Sequence, residues 1–84
     1  MEKSIFSRDY VILLKHLKEA RIKVGLTQSE LAKRLGQSQS FVSKYERGER
    51  RIAVIELRYF CKAMGISFHD FVKHLTDELD RQEW

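Results

Sequence analysis

Four glycines, set singly at Gly25, Gly36, Gly48 and Gly65 in a chain of 84 residues without proline, restrict this sequence more than any other feature. Gly25, Gly36 and Gly65 each follow a stretch of helical periodicity, where a residue able to take positive φ closes a helix. They divide the chain into short helices. The first is expected from about Arg8 to Val24, with Tyr10, Leu13, Leu17 and Ala20 three or four apart on one face. Thr27-Gln28-Ser29-Glu30 has the form of a capping box, so a second helix runs from about Gln28 to Leu35 and buries Leu31, Ala32 and Leu35. Ser38 can cap a third, Gln39 to about Glu46, anchored by Val42 with Phe41 and Tyr45. A charged loop, Arg47 to Arg51, precedes a fourth helix from about Ala53 to Met64. That helix is expected to bury Ile55, Tyr59 or Phe60, and Ala63, with Ile52 at its entrance. Ser67 and Asp70 open a fifth helix with Phe68, Phe71, Val72, Leu75 and Leu79 on one stripe.

The class is therefore all-α, and a chain this short supports one core and one domain, residues 1–84. Its lone cysteine, Cys61, lies in an apolar helical stretch and reads as a buried filler, with no disulfide to form inside the chain. The first ten residues lack the apolar run of a signal peptide, and no segment reaches the roughly 18 apolar residues of a membrane span. A cytoplasmic protein is expected. Charge is distributed unevenly. Residues 1–66 carry 14 Lys or Arg against 7 Asp or Glu, whereas residues 67–84 carry 2 against 5. A polyanion would meet the first part, with the acidic end turned away.

The second and third helices, joined by a tight turn across residues 26–48, form a unit whose later helix can project from the surface. Such a helix fits the DNA major groove, about 12 Å wide. Gln39 can pair with adenine N6 and N7, and Lys44 can donate to guanine or to phosphate. Ser40 and Ser43 can do either smaller job, which makes these four the candidate base contacts. Gln28 at the start of the second helix, Lys33 and Arg34 along it, and Arg47, Arg50 and Arg51 after the third are candidate phosphate contacts.

LTQSELAKRLG (Leu26 to Gly36) followed by QSQSFVSKYERGERR (Gln37 to Arg51) resembles the helix-turn-helix domain of the phage repressor and Cro family. The likeness is carried by Thr27 and Gln28, Leu31 and Ala32, Gly36, Val42 and Ser43, and Glu46 and Gly48, and it spans roughly Tyr10 to Leu75. It implies a five-helix, lambda-repressor-like (XRE-type) domain that regulates transcription by binding double-stranded DNA as a homodimer on a palindromic operator. It also implies that Gln28 binds phosphate while bracing the first residue of the recognition helix. Gln39, Ser40, Ser43 and Lys44 would then face the groove. Arg21 and Glu46 resemble an internal ion pair, with direct phosphate contact the alternative for Arg21. Two positions depart from the pattern. Ala53 stands where a capping aspartate is common, so the fourth helix must fray or find another cap. Phe41 is larger than usual and either packs on the first helix or touches thymine methyls.

The fifth-helix stripe of Phe68, Phe71, Val72, Leu75 and Leu79, with Trp84, either closes the core or forms a dimer contact. It is also where a protein partner would dock if the chain were instead an antitoxin or accessory regulator with secondary DNA binding. Catalysis is not expected. His16, His69 and His74 form no ligand group with cysteine, and there is no phosphate loop, metal motif or cofactor motif.

Overall fold

The computed structural model describes the backbone of residues 3–82 and the side chains of residues 8–82. Five helices follow one another: α1 (Lys3–Lys23), α2 (Gln28–Arg34), α3 (Gln39–Glu46), α4 (Val54–Met64) and α5 (Phe68–Arg81). Helix α1 begins earlier than the periodicity from Arg8 suggested, because nothing in Lys3 to Ser7 breaks a helix.

Local chemistry sets the remaining starts. The Thr27 hydroxyl accepts from the Glu30 N–H at 3.0 Å while the Glu30 carboxylate accepts from the Thr27 N–H at 2.8 Å. These reciprocal bonds hold the Glu30 carboxyl below its usual pKa. Ser38 and Ser67 cap α3 and α5 by accepting from Phe41 and Asp70. At α4 the missing side-chain cap is half replaced: Glu56 accepts the Ala53 N–H at 2.8 Å. The Ile52 N–H, one residue earlier, goes to the Tyr10 hydroxyl at 2.9 Å.

Among the described residues all the buried apolar side chains except Leu14 form one cluster. It takes Leu17 from α1, Leu31 and Ala32 from α2, Val42 and Tyr45 from α3, and Phe71 from α5. Helix α4 contributes Leu57, Phe60, Cys61 and Met64. The face expected for α4 is thereby corrected: Ile55 and Tyr59 stand 57% and 53% exposed, and Phe60 is the aromatic that enters. Leu57, Phe60, Cys61 and Met64 share the inward side at helical spacing, and in an apolar segment periodicity alone could not choose between that stripe and its neighbour. Burial pushes the Cys61 thiol up to about 11. Phe41 packs on α4, stacked on Phe60 with centroids 6.3 Å apart and edge-on to Tyr45 at 5.0 Å. On α5, Phe71 is buried, and Phe68 and Leu75 pack half-buried against the cluster. Leu79 is half-buried and Val72 is exposed; Trp84 lies outside the described residues.

Replacing a core side chain at constant backbone leaves a cavity, whereas trimming an exposed one does not. In urea denaturation Phe60→Ala is expected to cost about 3–5 kcal/mol, and Ile55→Ala to stay within about 0.5 kcal/mol. Equal losses would restore the face first read from the sequence.

Candidate nucleic-acid interface

Helix α3 is held at both ends. Its inward side is fixed by Val42 and Tyr45, neither of which retains solvent exposure, and α2 and α1 pack against it. At its C-terminal end Gly48 takes φ +78 and gives its N–H to the Tyr45 carbonyl, while the Glu49 N–H bonds the Lys44 carbonyl. A Cβ on Gly48 would sit 3.3 Å from Leu14 Cδ1, so the close approach to α1 as well as the positive φ asks for glycine.

A polar chain runs beneath the helix. Arg21 Nε donates to Glu46 Oε2 at 2.6 Å and Nη2 to Oε1 at 3.1 Å, a two-pronged pair whose side chains are 9% and 4% exposed. The third guanidinium nitrogen, Nη1, donates to the Leu26 carbonyl at 2.7 Å. Gln28 Nε2 donates to the same Glu46 Oε1 at 2.9 Å, and Gln39 Nε2 donates to Gln28 Oε1 at 2.6 Å. Because the carboxylate has no proton to give, Gln28 must turn its NH₂ toward it and its oxygen toward Gln39. Gln39 must then donate, which leaves its own carbonyl oxygen and one N–H outside this chain of bonds. That is the acceptor and donor pair that adenine N6 and N7 require.

The candidate residues are not placed alike. Gln39, Ser40 and Lys44 are exposed on α3. Ser43 is not: it is 8% exposed, and its hydroxyl accepts from Arg47 Nη1. Gln28 is half-buried, with one amide proton committed to Glu46, and Lys33 is exposed on α2. Arg34 reaches across to α4, where Nη1 donates to the Ala63 carbonyl at 2.9 Å. Arg47 is paired with Glu49 through two bonds of 2.8 and 3.1 Å. Arg50 lies over the rings of Phe41 and Tyr45 at 5.2 and 5.4 Å, and Arg51 lies over Tyr10 at 5.3 Å.

Two participants were missed in the sequence. By its spacing Tyr10 belongs to an apolar face of α1. Its hydroxyl accepts from Ile52 and contacts the Arg50 carbonyl at 3.4 Å, so it fastens the α3–α4 loop to α1. Nothing in local sequence marks a contact across 40 residues. Glu49, the partner of Arg47, could have been found from its position two residues on. No group of three or more His, Cys, Asp or Glu among the described residues is placed to hold a metal ion.

Comparison with known proteins agrees with this geometry. The helix-turn-helix family model matches residues 17–71. An uncharacterized HTH-type transcriptional regulator, y4dJ of Sinorhizobium fredii, is 43% identical over 58 residues, covering 69% of this chain and 74% of that protein. A solved XRE-family like protein from Pseudomonas syringae pv. tomato superposes with a TM-score of 0.84. It is 46% identical, over 90% of this chain and 93% of its own. The clp gene regulator ClgR of C. glutamicum gives a TM-score of 0.74 at 27% identity, over 88% of this chain and 96% of its own.

A buried ion pair loses most when one partner is left alone, because the survivor keeps its desolvation cost. Arg21→Met and Glu46→Leu are each expected to lower stability by about 3–5 kcal/mol, and the double variant by less than either. Additive losses in a double-mutant cycle would show that the two groups are not coupled.

Proposed function

The chain belongs to the XRE/Cro-type helix-turn-helix family of DNA-binding transcriptional regulators, and from this we propose that it is a repressor working as a homodimer on an approximately palindromic operator. The observation that carries the reading is the Glu46–Gln28–Gln39 chain of bonds. It orients the Gln39 amide at the exposed start of α3, beside Ser40 and Lys44.

In this reading Gln39 accepts from adenine N6 and donates to N7, and Lys44 donates to guanine or a nearby phosphate. Ser40 contacts a base edge or sugar. The second amide proton of Gln28, with Lys33, Arg47, Arg50 and Arg51, meets phosphates and sets register without reading sequence. Arg34 reaches a phosphate only by leaving the Ala63 carbonyl. Two copies joined through α5 would set their reading helices about 34 Å apart, one turn of the duplex. Val72 is the exposed member of that surface, flanked by Phe68, His69 and Lys73 around a shallow hollow. Repression follows where the operator overlaps a promoter, and binding rather than catalysis is the whole of the activity. No helix among the described residues is long and apolar enough to cross a membrane, and we place the protein in the cytoplasm.

Selection of bound duplexes from a random pool tests the reading. Gln39→Ala and Lys44→Ala are each expected to relax preference at one position per half-site, at about 1–3 kcal/mol of discrimination. Variants that bind more weakly but keep the parental preference would remove both residues as readers. With about six to ten phosphate contacts per dimer, affinity should fall by about 10³ to 10⁵ between 50 and 200 mM salt. A monomer that binds no duplex at low salt would favour a partner protein as the target instead.

A further inference from the structure

The Glu49 carboxylate sits among cations that the DNA-binding reading assigns to phosphate and groove. The turn after α3 places it there: with Gly48 in the left-handed region, the Glu49 N–H bonds back to the Lys44 carbonyl at 2.9 Å. Glu49 is thus pinned beside the last turn of the recognition helix, where it feels the charges of both Arg47 and Lys44. For the helix itself this is the wrong sign, since a helix C-terminus is the negative end of the macrodipole and favours cations. An anion held at this spot therefore does not serve helix stability.

The bonds indicate what it does serve. Glu49 takes Nε and Nη2 of Arg47, the edge of a guanidinium that grips a carboxylate or phosphate in two-pronged fashion. At the same time Arg47 Nη1 donates to the hydroxyl of Ser43, which is 8% exposed. Both members of the Arg47–Glu49 pair are about half exposed, at 53% and 54%, so the pair is weak and exchangeable. Pairing holds the Glu49 carboxyl below its ordinary pKa and the Arg47 guanidinium above its own, so both stay charged at neutral pH.

We propose that Glu49 is a specificity-determining residue: its carboxylate occupies the phosphate-binding edge of Arg47 and keeps the guanidinium over Ser43 until a correctly registered DNA phosphate displaces it. The inference rests on the DNA-binding reading and deepens it. On non-cognate duplex the exchange is incomplete and Arg47 contributes little. On the cognate site the phosphate takes Arg47 and the guanidinium moves off Ser43. Glu49 thus lowers affinity for all DNA and lowers it most for the wrong DNA.

The test compares wild type, Glu49→Gln, Arg47→Gln and the double variant. Each is titrated at low salt with a mixed-sequence duplex and with the duplex that wild type selects from a random pool. Glu49→Gln is expected to tighten binding to the mixed duplex by roughly three- to tenfold, to gain less on the selected duplex, and to lose that gain as salt screens the charge. In the Arg47→Gln background the same change should gain little, because no guanidinium remains to be released. Three results would overturn the proposal: no gain from Glu49→Gln, an equal gain on both duplexes, or a gain that persists without Arg47. The last identifies simple charge repulsion. Wild type that binds neither duplex removes the DNA-binding reading itself, a failure distinct from these three. Unchanged thermal unfolding of the exposed-site variants keeps loss of fold out of the comparison.

Discussion

A carboxylate accepts hydrogen bonds and cannot donate them, and the direction of every bond under the recognition helix descends from that asymmetry at Glu46. Arg21 supplies charge from one side, and the Gln28 amide must offer its NH₂ from the other. The Gln28 oxygen then calls for a donor from Gln39. An amide that could otherwise present either end outward is held in one orientation by a salt bridge buried beneath it. Burial matters here, because in a site almost closed to water the unpaired alternatives are costly. The same charges at the surface would leave the amides free to turn.

Packing supplies the frame for this chain of bonds. Leu17, Leu31, Val42 and Tyr45 bring α1, α2 and α3 to one cluster, and Phe60 closes it from α4. Arg21 reaches Glu46 because Gly48 lets the end of α3 come close to α1, where a larger residue would press on Leu14. Tyr10 then secures the loop beyond through Ile52. Rigidity at the base of α3 and weak, exchangeable pairs at its exposed end suit a surface that must keep its register and still exchange ionic partners with a polyanion.

The basic residues after α3 are each engaged inside the free protein: Arg47 by Glu49 and Ser43, Arg50 by two aromatic rings, Arg51 by Tyr10. The three arginines themselves remain exposed. These contacts orient the cationic side chains toward the outside of the loop.

Much of this was legible in the chain itself. Glycine spacing, the Thr27–Glu30 box and the Ser38 cap delimit α2 and α3 because capping is decided within four residues by backbone donors that need an acceptor. The exposed amide and lysine of α3 follow from helical period, and the Arg21–Glu46 pairing from family resemblance. Three things required the tertiary fold. The inward stripe of α4 was ambiguous, since Ile55, Tyr59 and Phe60 are similar in apolarity and only the position of Phe41 and Tyr45 selects Phe60. Ser43 looks like a groove-facing residue by periodicity, yet Arg47 and the helix packing cover it. The Tyr10 bond to Ile52 and the Arg34 bond to Ala63 join residues far apart in sequence. Local order is set by interactions among near neighbours, so the sequence determined where the capped helices α2, α3 and α5 begin; which face is dry and which charge finds which partner depends on how the helices meet.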